Sequence, residues 1–215
     1  SGMISIPTML LMMLGIGGLA TRLGQRKAML IGSWGGIITN ALLIALWLFG
    51  DYTSFSAGNG AINWGFFAVA YLVLNIVLGG FTGISGNIVI PMTADCADYE
   101  VYRTGKYVPG LMGTLFSFVD KLISSFAPML VSVSFAAIGF TEALPDIVHV
   151  EAINANPEWK ATTFIVTLML LYGSVIIGNL CNVVALKFYP LTKEKMEEIQ
   201  AEIAAIKAKA MAGEE

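Results

Sequence analysis

Long apolar runs alternate with short polar connections along this chain. Charged residues are absent from residues 1–21, 28–50, 52–94 and 161–186. A run of about 18 or more mainly apolar residues is long enough to cross a bilayer core of about 30 Å. The pattern therefore predicts an all-α integral membrane protein, built as a bundle of helices.

Five transmembrane helices are predicted from these runs. They cover residues 3–20, 28–49, 63–90, 109–140 and 161–189. The third and fourth are longer than the roughly 20 residues that a span needs, so tilt, kinks or extramembrane turns are expected there. The chain divides accordingly into a membrane portion, residues 1–189, and a polar tail, residues 190–215.

The tail has the pattern of an amphipathic helix. Met196, Ile199, Ile203 and Ile206 recur at spacings of three and four residues, and Thr192 is placed to cap the start. Two interpretations remain open. The helix lies along the inner membrane surface or the protein's inner face, or it pairs with another helix.

Charge placement predicts the orientation in the membrane. The chain is 56% hydrophobic and 13% charged, whereas a soluble domain carries about 25% charged residues. The basic residues gather on one side of the predicted spans, at Arg22, Arg26, Lys27, Arg103, Lys106, Lys187, Lys193, Lys195, Lys207 and Lys209. The connections on the other side carry one basic residue, Lys160. The positive-inside rule therefore predicts a multi-pass protein of the cell (inner or plasma) membrane with a cytoplasmic C-terminus.

The residues that most enzymes use are scarce. The chain has one histidine and two cysteines, and it has no glycine-rich phosphate loop after a strand. His149 is expected to be a solvated loop residue. The basic residues follow the membrane boundary and do not form a nucleic-acid face. We expect no catalytic activity, no metal site, no cofactor and no nucleic-acid partner.

Glycines occur at the spacing that lets helices approach closely in lipid. Gly32 and Gly36 form one GxxxG pair, and Gly79 and Gly83 form another. Close helix packing is the first interpretation. A second is that the glycines of residues 79–86 allow the third helix to bend.

Two charges lie inside a predicted span. Asp120 and Lys121 belong to the fourth span, and Lys121 is twelve residues beyond Pro109, about 18 Å along a helix. Each charge at that depth costs about 2.5 to 3.5 kcal/mol and usually faces a bundle interior or a water cavity. Adjacent helical positions point in different directions, so each is expected to have its own partner. The pair either lines a solute or ion pathway, together with Ser117, or forms buried ion pairs that only pack helices.

The stretch "ADCADYEVYRTGKYVPGLMGTLFSFVDKLISSF", residues 94–126, resembles the melibiose permease-like glycoside–pentoside–hexuronide:cation symporter family of the major facilitator superfamily. Members carry a D-x-x-D-Y stretch, a basic Thr-Gly-Lys-like turn and a helix with an intramembrane lysine. The corresponding residues here are Asp95, Asp98, Tyr99, Arg103, Thr104, Gly105, Lys106 and Lys121.

A second stretch supports the resemblance. "GGLATRLGQRK", residues 17–27, is similar to the cytoplasmic loop motif of the major facilitator superfamily. Thr21 stands where that motif usually has an aspartate. The residues that match this loop motif are Gly18, Arg22, Gly24, Arg26 and Lys27.

The resemblance implies a fold of twelve helices in two six-helix halves. The five predicted helices would correspond to helices 8–12, so the chain is expected to be a C-terminal portion that needs the N-terminal half as its partner. The implied function is symport of a sugar, glycoside or uronate with Na⁺ or H⁺ by alternating access. A transporter of another solute, such as a lysolipid, and a non-transporting membrane scaffold or orphan fragment are the alternatives.

The resemblance also implies roles for particular residues. Lys121 would line the transport cavity, together with Asp120 and Ser117. Gly86 stands where melibiose permease has a tryptophan, so an aromatic platform for a sugar is not expected there. The mixed charges after the third span independently predict a cytoplasmic gate, in which Asp95, Asp98, Arg103 and Lys106 form reversible ion pairs and Tyr99 adds an amphipathic anchor at the membrane interface. A role in topology and solubility alone is the other interpretation of that connection.

Overall fold

The protein is a bundle of long helices. The computed structural model describes residues 2–52, 56–57, 61–62, 64–105, 109–140, 153 and 155–212. Its helices are α1 (Gly2–Gly15), α2 (Thr21–Leu23), α3 (Gln25–Phe49), α4 (Phe66–Thr104), α5 (Pro109–Ala137), α6 (Pro157–Leu168), α7 (Ser174–Phe188) and α8 (Lys193–Ala212). Short π-helical segments, Ile16–Ala20 and Met169–Gly173, join α1 to α2 and α6 to α7. A minimal antiparallel pair of strands, β1 (Ser56–Ala57) and β2 (Ala61–Ile62), follows α3.

Five helical segments are long and apolar enough to cross a membrane. They are Ile6–Leu23, Gln25–Phe49, Phe66–Thr104, Gly110–Ala137 and Pro157–Phe188. The predicted all-α class and the predicted number of spans are both confirmed.

The core lies where α3 packs against α4 and α7. Ala28, Gly32 and Gly36 are buried at helical spacing along one face of α3. A β-carbon on Gly32 would lie 2.6 Å from Oγ of Ser85, and one on Gly36 would lie 3.0 Å from Nδ2 of Asn179. These helices are therefore as close as their backbones allow, which confirms the packing interpretation of the GxxxG spacing.

The second glycine pair packs α4 against α1. A β-carbon on Gly83 would lie 2.7 Å from Cγ of Met12, and one on Gly79 would collide with Thr8. Gly86, in contrast, has no atom within 4 Å of its missing β-carbon. The structure thus gives Gly79 and Gly83 packing roles and leaves Gly86 on an open surface.

Aromatic rings hold the far ends of α3, α4 and α6 together. The ring of Trp47 lies 5.8 Å from that of Tyr71 and 6.2 Å from that of Phe164, with edge-to-face geometry in both pairs. The rings surround the buried side chains of Leu43 and Leu168. Edge-to-face pairs of this kind stabilise a core by about 0.5 to 1.5 kcal/mol beyond their buried area.

The helix of the third span continues 14 residues beyond the predicted end at residue 90. α4 has 39 residues and runs to Thr104, about 58 Å at 1.5 Å per residue. The helix continues through Pro91, and the chain after it has no further glycine or proline until Gly105. Gly105 ends α4 with φ 70°, and its N–H donates to the carbonyl of Val101. Asp95, Asp98, Tyr99 and Arg103, which the sequence placed in a connection, therefore lie in the final turns of α4, a helix longer than the roughly 30 Å of a bilayer core.

Other helix boundaries differ by a few residues. α5 ends at Ala137, before the predicted position 140, and α6 begins at Pro157, before the predicted position 161. The Asn156 side chain caps α6 by accepting hydrogen bonds from the N–H groups of Glu158 and Trp159. A capped N-terminus with proline at the first position explains the earlier start.

Candidate functional site

The tail helix packs on the end of α4. Leu191, Met196 and Ile199 are buried, and they pack against Tyr99 and Tyr102 in the last turns of α4. The apolar stripe that the sequence predicted in the tail therefore packs against the C-terminal end of α4. The tail lies against the protein itself. Ile206 belongs to the same stripe, but its side chain lies outside the described residues.

Tyr99, one of the predicted gate residues, packs against the tail. Its ring stacks on that of Tyr102 with centroids 6.3 Å apart. Nζ of Lys195, in α8, lies 5.2 Å from the centroid of the Tyr102 ring and 2.8 Å from Oε1 of Glu198. The hydrogen bond to Glu198 is the main cause that raises the pKa of Lys195. Tyr99 therefore belongs to the surface that receives the tail.

The predicted gate residues lie around the same end of α4. Asp95 lines a cavity of about 220 Å³ between α3 and α8, together with Gln25. Asp98 is half-buried and Arg103 is exposed, and Lys106 lies outside the described residues. Within the part of the chain that the structure describes, Asp95, Asp98 and Arg103 form no ion pair. The gate of ion pairs therefore stays a prediction.

The loop motif meets the tail at a close contact that we call the tail junction, formed by Gly24, Arg26, Leu186 and Lys193. Gly24 has φ 84° and ψ 161°, a conformation that is essentially limited to glycine. A β-carbon there would lie 2.8 Å from Cβ of Lys193. Nε of Arg26 donates to the carbonyl of Leu186 at 3.1 Å.

Lys193 completes the tail junction. Its Nζ donates to the carbonyls of Thr21 and Arg22, at 3.3 and 3.2 Å. These carbonyls belong to α2, where a cation interacts favourably with the negative end of the helix dipole. Gly18 and Lys27, the remaining loop-motif residues, are exposed. The motif thus ties the α2–α3 turn to the ends of α7 and α8.

Tyr189 lies between the last span and the tail. Burial raises the pKa of its phenol above the usual range, and the neighbouring Cys96 thiol and Asp95 carboxyl act in the same direction. The phenol is therefore uncharged at neutral pH and packs as part of the tail's apolar contact.

The predicted pathway residues lie on an open helix. Ser117, Asp120 and Lys121 are all exposed. Asp120 and Lys121 are not enclosed by the described helices, because α5 touches α4 and α6 only slightly and has no buried residue in its spanning window. The expectation that they face a bundle interior or a water cavity stays a prediction. Among the described residues, neither charge has an ion-pair or hydrogen-bond partner, so the individual partners predicted for them are not present there.

The far end of α5 is held by one tryptophan. Nε1 of Trp159 donates to the carbonyl of Ile138 at 2.8 Å. Its ring lies 5.3 Å from that of Phe140, which in turn meets Phe135 edge to face. This contact fixes the position of α5 at one end and leaves its middle, with the two charges, open.

Sequence reasoning missed one polar residue on the open surface of α4. Asn87 is exposed, and its Nδ2 donates to the carbonyl of Gly83 at 2.8 Å and lies 3.4 Å from Sδ of Met12. It follows Gly86, whose β-carbon position is empty. An uncharged amide carries no large cost of insertion into a membrane, so Asn87 does not stand out in the sequence as a charged residue would. A polar amide in the middle of an apolar run was the available signal in the sequence.

Comparison with known proteins gives one match. A family model described as MFS/sugar transport protein matches residues 2–193. The match includes all five spans and ends at the first residue of α8. No curated protein and no solved structure matches the chain.

Proposed function

The chain belongs to the MFS/sugar transport protein family of the major facilitator superfamily, and we propose that it works as part of a symporter that carries a sugar, glycoside or uronate together with Na⁺ or H⁺. Membership and the five apolar helices make it a multi-pass membrane protein of a sugar- or solute-transporting family. The observation that carries the finer proposal is the exposed Asp120–Lys121 pair midway along α5.

Among the five spans, α5 alone carries charged residues near its middle. A charge near mid-membrane costs about 2.5 to 3.5 kcal/mol, and such residues usually line a cavity or a pathway. The middles of the other four spans carry no charged residue. Since neither Asp120 nor Lys121 pairs with another described residue, packing of this bundle does not account for them.

The chemistry of the pair suits a hydroxylated solute. The Lys121 ammonium offers three hydrogen-bond donors to a sugar hydroxyl or a uronate carboxylate. The Asp120 carboxylate offers acceptors to a hydroxyl or negative charge to a coupling cation. Ser117, one helical turn before Lys121, adds a neutral donor and acceptor on nearly the same face.

We propose that the open side of α5 faces a second set of helices, the N-terminal half of the transporter. The slight contact of α5 with α4 and α6 supports this, because a helix that carries two charges needs a polar or aqueous surface opposite them. Alternating access then moves one half against the other around the shared site. The concentration of lysine and arginine at one end supports a cytoplasmic C-terminus in the cell membrane.

The gate is proposed to form across the two halves. Asp95, Asp98 and Arg103 carry both signs of charge at the projecting end of α4, and they are not paired among the described residues. Lys106 would add to them. Contacts with the opposite half would break as the inner side opens. Tyr99 would hold the tail against the moving helix end.

Uptake measurements test the proposal. Radiolabelled sugars, glycosides and uronates are offered to cells that express the full-length protein, with a Na⁺ gradient, with a proton gradient and with neither. We expect uptake that depends on one gradient and falls at least tenfold in Lys121→Ala and Asp120→Asn, since each loses more than about 1.4 kcal/mol of interaction. Lys187→Ala, which removes an exposed lysine at the membrane boundary, serves as the control. Gradient-dependent uptake that both pathway variants retain would exclude the proposed site, and uptake of a lysolipid alone would replace the proposed solute.

A further inference from the structure

A second cavity lies beside the tail junction and shares Gly24, Arg26 and Lys193 with it. It has a volume of about 180 Å³, the room of about six water molecules in bulk liquid. Two apolar side chains, those of Leu23 and Leu30, line it. The basic side chains that line it are Arg26, Lys27 and Lys193, and the other polar lining groups are Thr192 and Glu194.

An apolar stripe leads away from this cavity along α3, one of the candidate membrane spans. Ile31, Trp34 and Ile38 are 38%, 50% and 57% exposed. They follow Lys27 at helical spacing, on the face opposite the one that packs against α4 and α7. The stripe is therefore open at the surface of the described bundle, where an acyl chain could lie against it.

The length of the stripe matches one leaflet. Ile38 is eleven residues beyond Lys27, about 16 Å along a helix. Half of a bilayer core of about 30 Å has nearly the same thickness. A molecule with an anionic head in the cavity and a chain along the stripe would span a single leaflet.

We propose that this groove binds one anionic glycerophospholipid from the leaflet on the tail side. The phosphodiester lies between Lys27 and Lys193, and an acyl chain lies along Ile31, Trp34 and Ile38. Basic pockets between helices at this depth are suited to anionic lipid headgroups. The inference depends on the chain spanning a membrane and on no particular transported solute.

The charge balance of the cavity favours an anion. Three basic side chains face one carboxylate within the lining. The Glu194 pKa is lowered by its own backbone N–H first and by the Thr192 hydroxyl next, with Lys27 and Lys193 adding to the effect. The Glu194 carboxylate is therefore charged and partly offsets the positive charge of the cavity. Lys193 also lies 4.0 Å from Glu197, and its bonds to Thr21 and Arg22 go to neutral carbonyls.

The lipid would connect two separate elements. Lys27 belongs to α3, and Lys193 is the first residue of α8. A phosphodiester bound by both would hold the tail to the loop motif in addition to the tail junction. Lipid occupancy should therefore slow amide hydrogen exchange in α8.

Competition between lipids tests the proposal. The purified full-length protein is exchanged into equimolar phosphatidylglycerol and phosphatidylcholine, and the lipids that it retains are counted by native mass spectrometry. We expect the wild type to retain phosphatidylglycerol preferentially and Lys27→Gln to reduce that preference about fivefold, the effect of one basic residue at an anionic surface. Glu194→Gln should increase the preference.

The control removes the same charge elsewhere. Lys187 is exposed at the end of α7 and does not line the cavity, so Lys187→Gln should retain the wild-type preference. An equal loss in Lys27→Gln and Lys187→Gln would show only a general basic surface and would overturn the site. So would the absence of any preference in the wild type. Displacement of the lipid by millimolar glycerol phosphate would show a soluble-anion site and would overturn the proposed acyl contact.

Discussion

Cβ of Lys193 lies 2.8 Å from the position that a β-carbon on Gly24 would occupy. Residues 169 positions apart in sequence thus meet where the loop motif receives the tail. The φ of 84° at Gly24 is a backbone conformation that residues with a side chain rarely adopt, so a larger residue would be strained as well as crowded. The contact explains why a glycine of the loop motif matters to a helix at the other end of the chain.

Gly24→Ala should loosen the tail. The backbone conformation alone costs an alanine about 1 to 3 kcal/mol, and the added methyl group would push Lys193 away. We expect faster hydrogen exchange across α8, measured by mass spectrometry. Gly18→Ala is the matched control, because its β-carbon would meet nothing within 4 Å. Equal exchange in the two variants would contradict the role of Gly24 at the tail junction.

Ile199→Ala should weaken the docking of the tail by removing an apolar contact of α8 itself. Ile199 is fully buried among the tyrosines of α4, and truncation of a buried isoleucine to alanine costs about 2 to 5 kcal/mol. Limited proteolysis should then cut α8 more rapidly than in the wild type. Glu202→Ala changes an exposed residue of the same helix and should leave the cleavage rate unchanged. A tail that stays protected in Ile199→Ala would mean that the apolar contact is not what holds it.

Trp159→Phe should free the far end of α5. The substitution keeps a ring against Phe140 but loses the hydrogen bond to the carbonyl of Ile138, worth about 1 kcal/mol. Because α5 has few other contacts, hydrogen exchange should increase at residues 135–140. Trp64→Phe, at a position that is 55% exposed, is the control. No change at residues 135–140 would indicate that α5 is held elsewhere.

Asp120 and Lys121 should contribute independently to transport. Neighbouring helical positions do not face each other, so a double-mutant cycle of Asp120→Asn and Lys121→Gln should give a coupling free energy within about 0.5 kcal/mol of zero. Uptake rates of the two single variants and the double variant supply the measurement. A coupling above that limit would show that the two side chains act as one local pair.

Asn87→Leu should reduce uptake if the solute passes along the open surface of α4. Leucine keeps most of the volume but cannot hydrogen-bond, so we expect about a tenfold loss, equal to ~1.4 kcal/mol. Ile90→Ala, on the same helix and 67% exposed, should transport as the wild type does. Retention of full uptake in Asn87→Leu would place the pathway away from this residue.

The chain pattern was sufficient to predict the membrane architecture. An apolar run of about 20 residues is long enough to cross a bilayer core as a helix, so the charge-free runs alone indicated five spans. The apolar stripe of the tail and the glycine spacing likewise predicted contact surfaces. None of these patterns identified the helix that each surface contacts, because spacing defines a face of a helix and not what lies against it.

The sequence pointed to candidate site residues but not to their surroundings in the fold. Asp120 and Lys121 stand out because charge in a span is rare, but their exposure depends on how little α5 packs, which no local pattern records. The residues around Asp95 were assigned to a connection because polar residues usually end a span. In fact α4 continues to Thr104, since a helix can leave the bilayer and still satisfy its own hydrogen bonds.

By itself the sequence determined the number of spans, the charged end of the bundle and the amphipathic tail, because each follows from local composition against a fixed bilayer thickness. Only the tertiary structure decided that Lys193 would bond α2, that Tyr99 would receive the tail, and that Lys27 would stand above an open apolar stripe. Such contacts join residues far apart in the chain, and they depend on how helices pack.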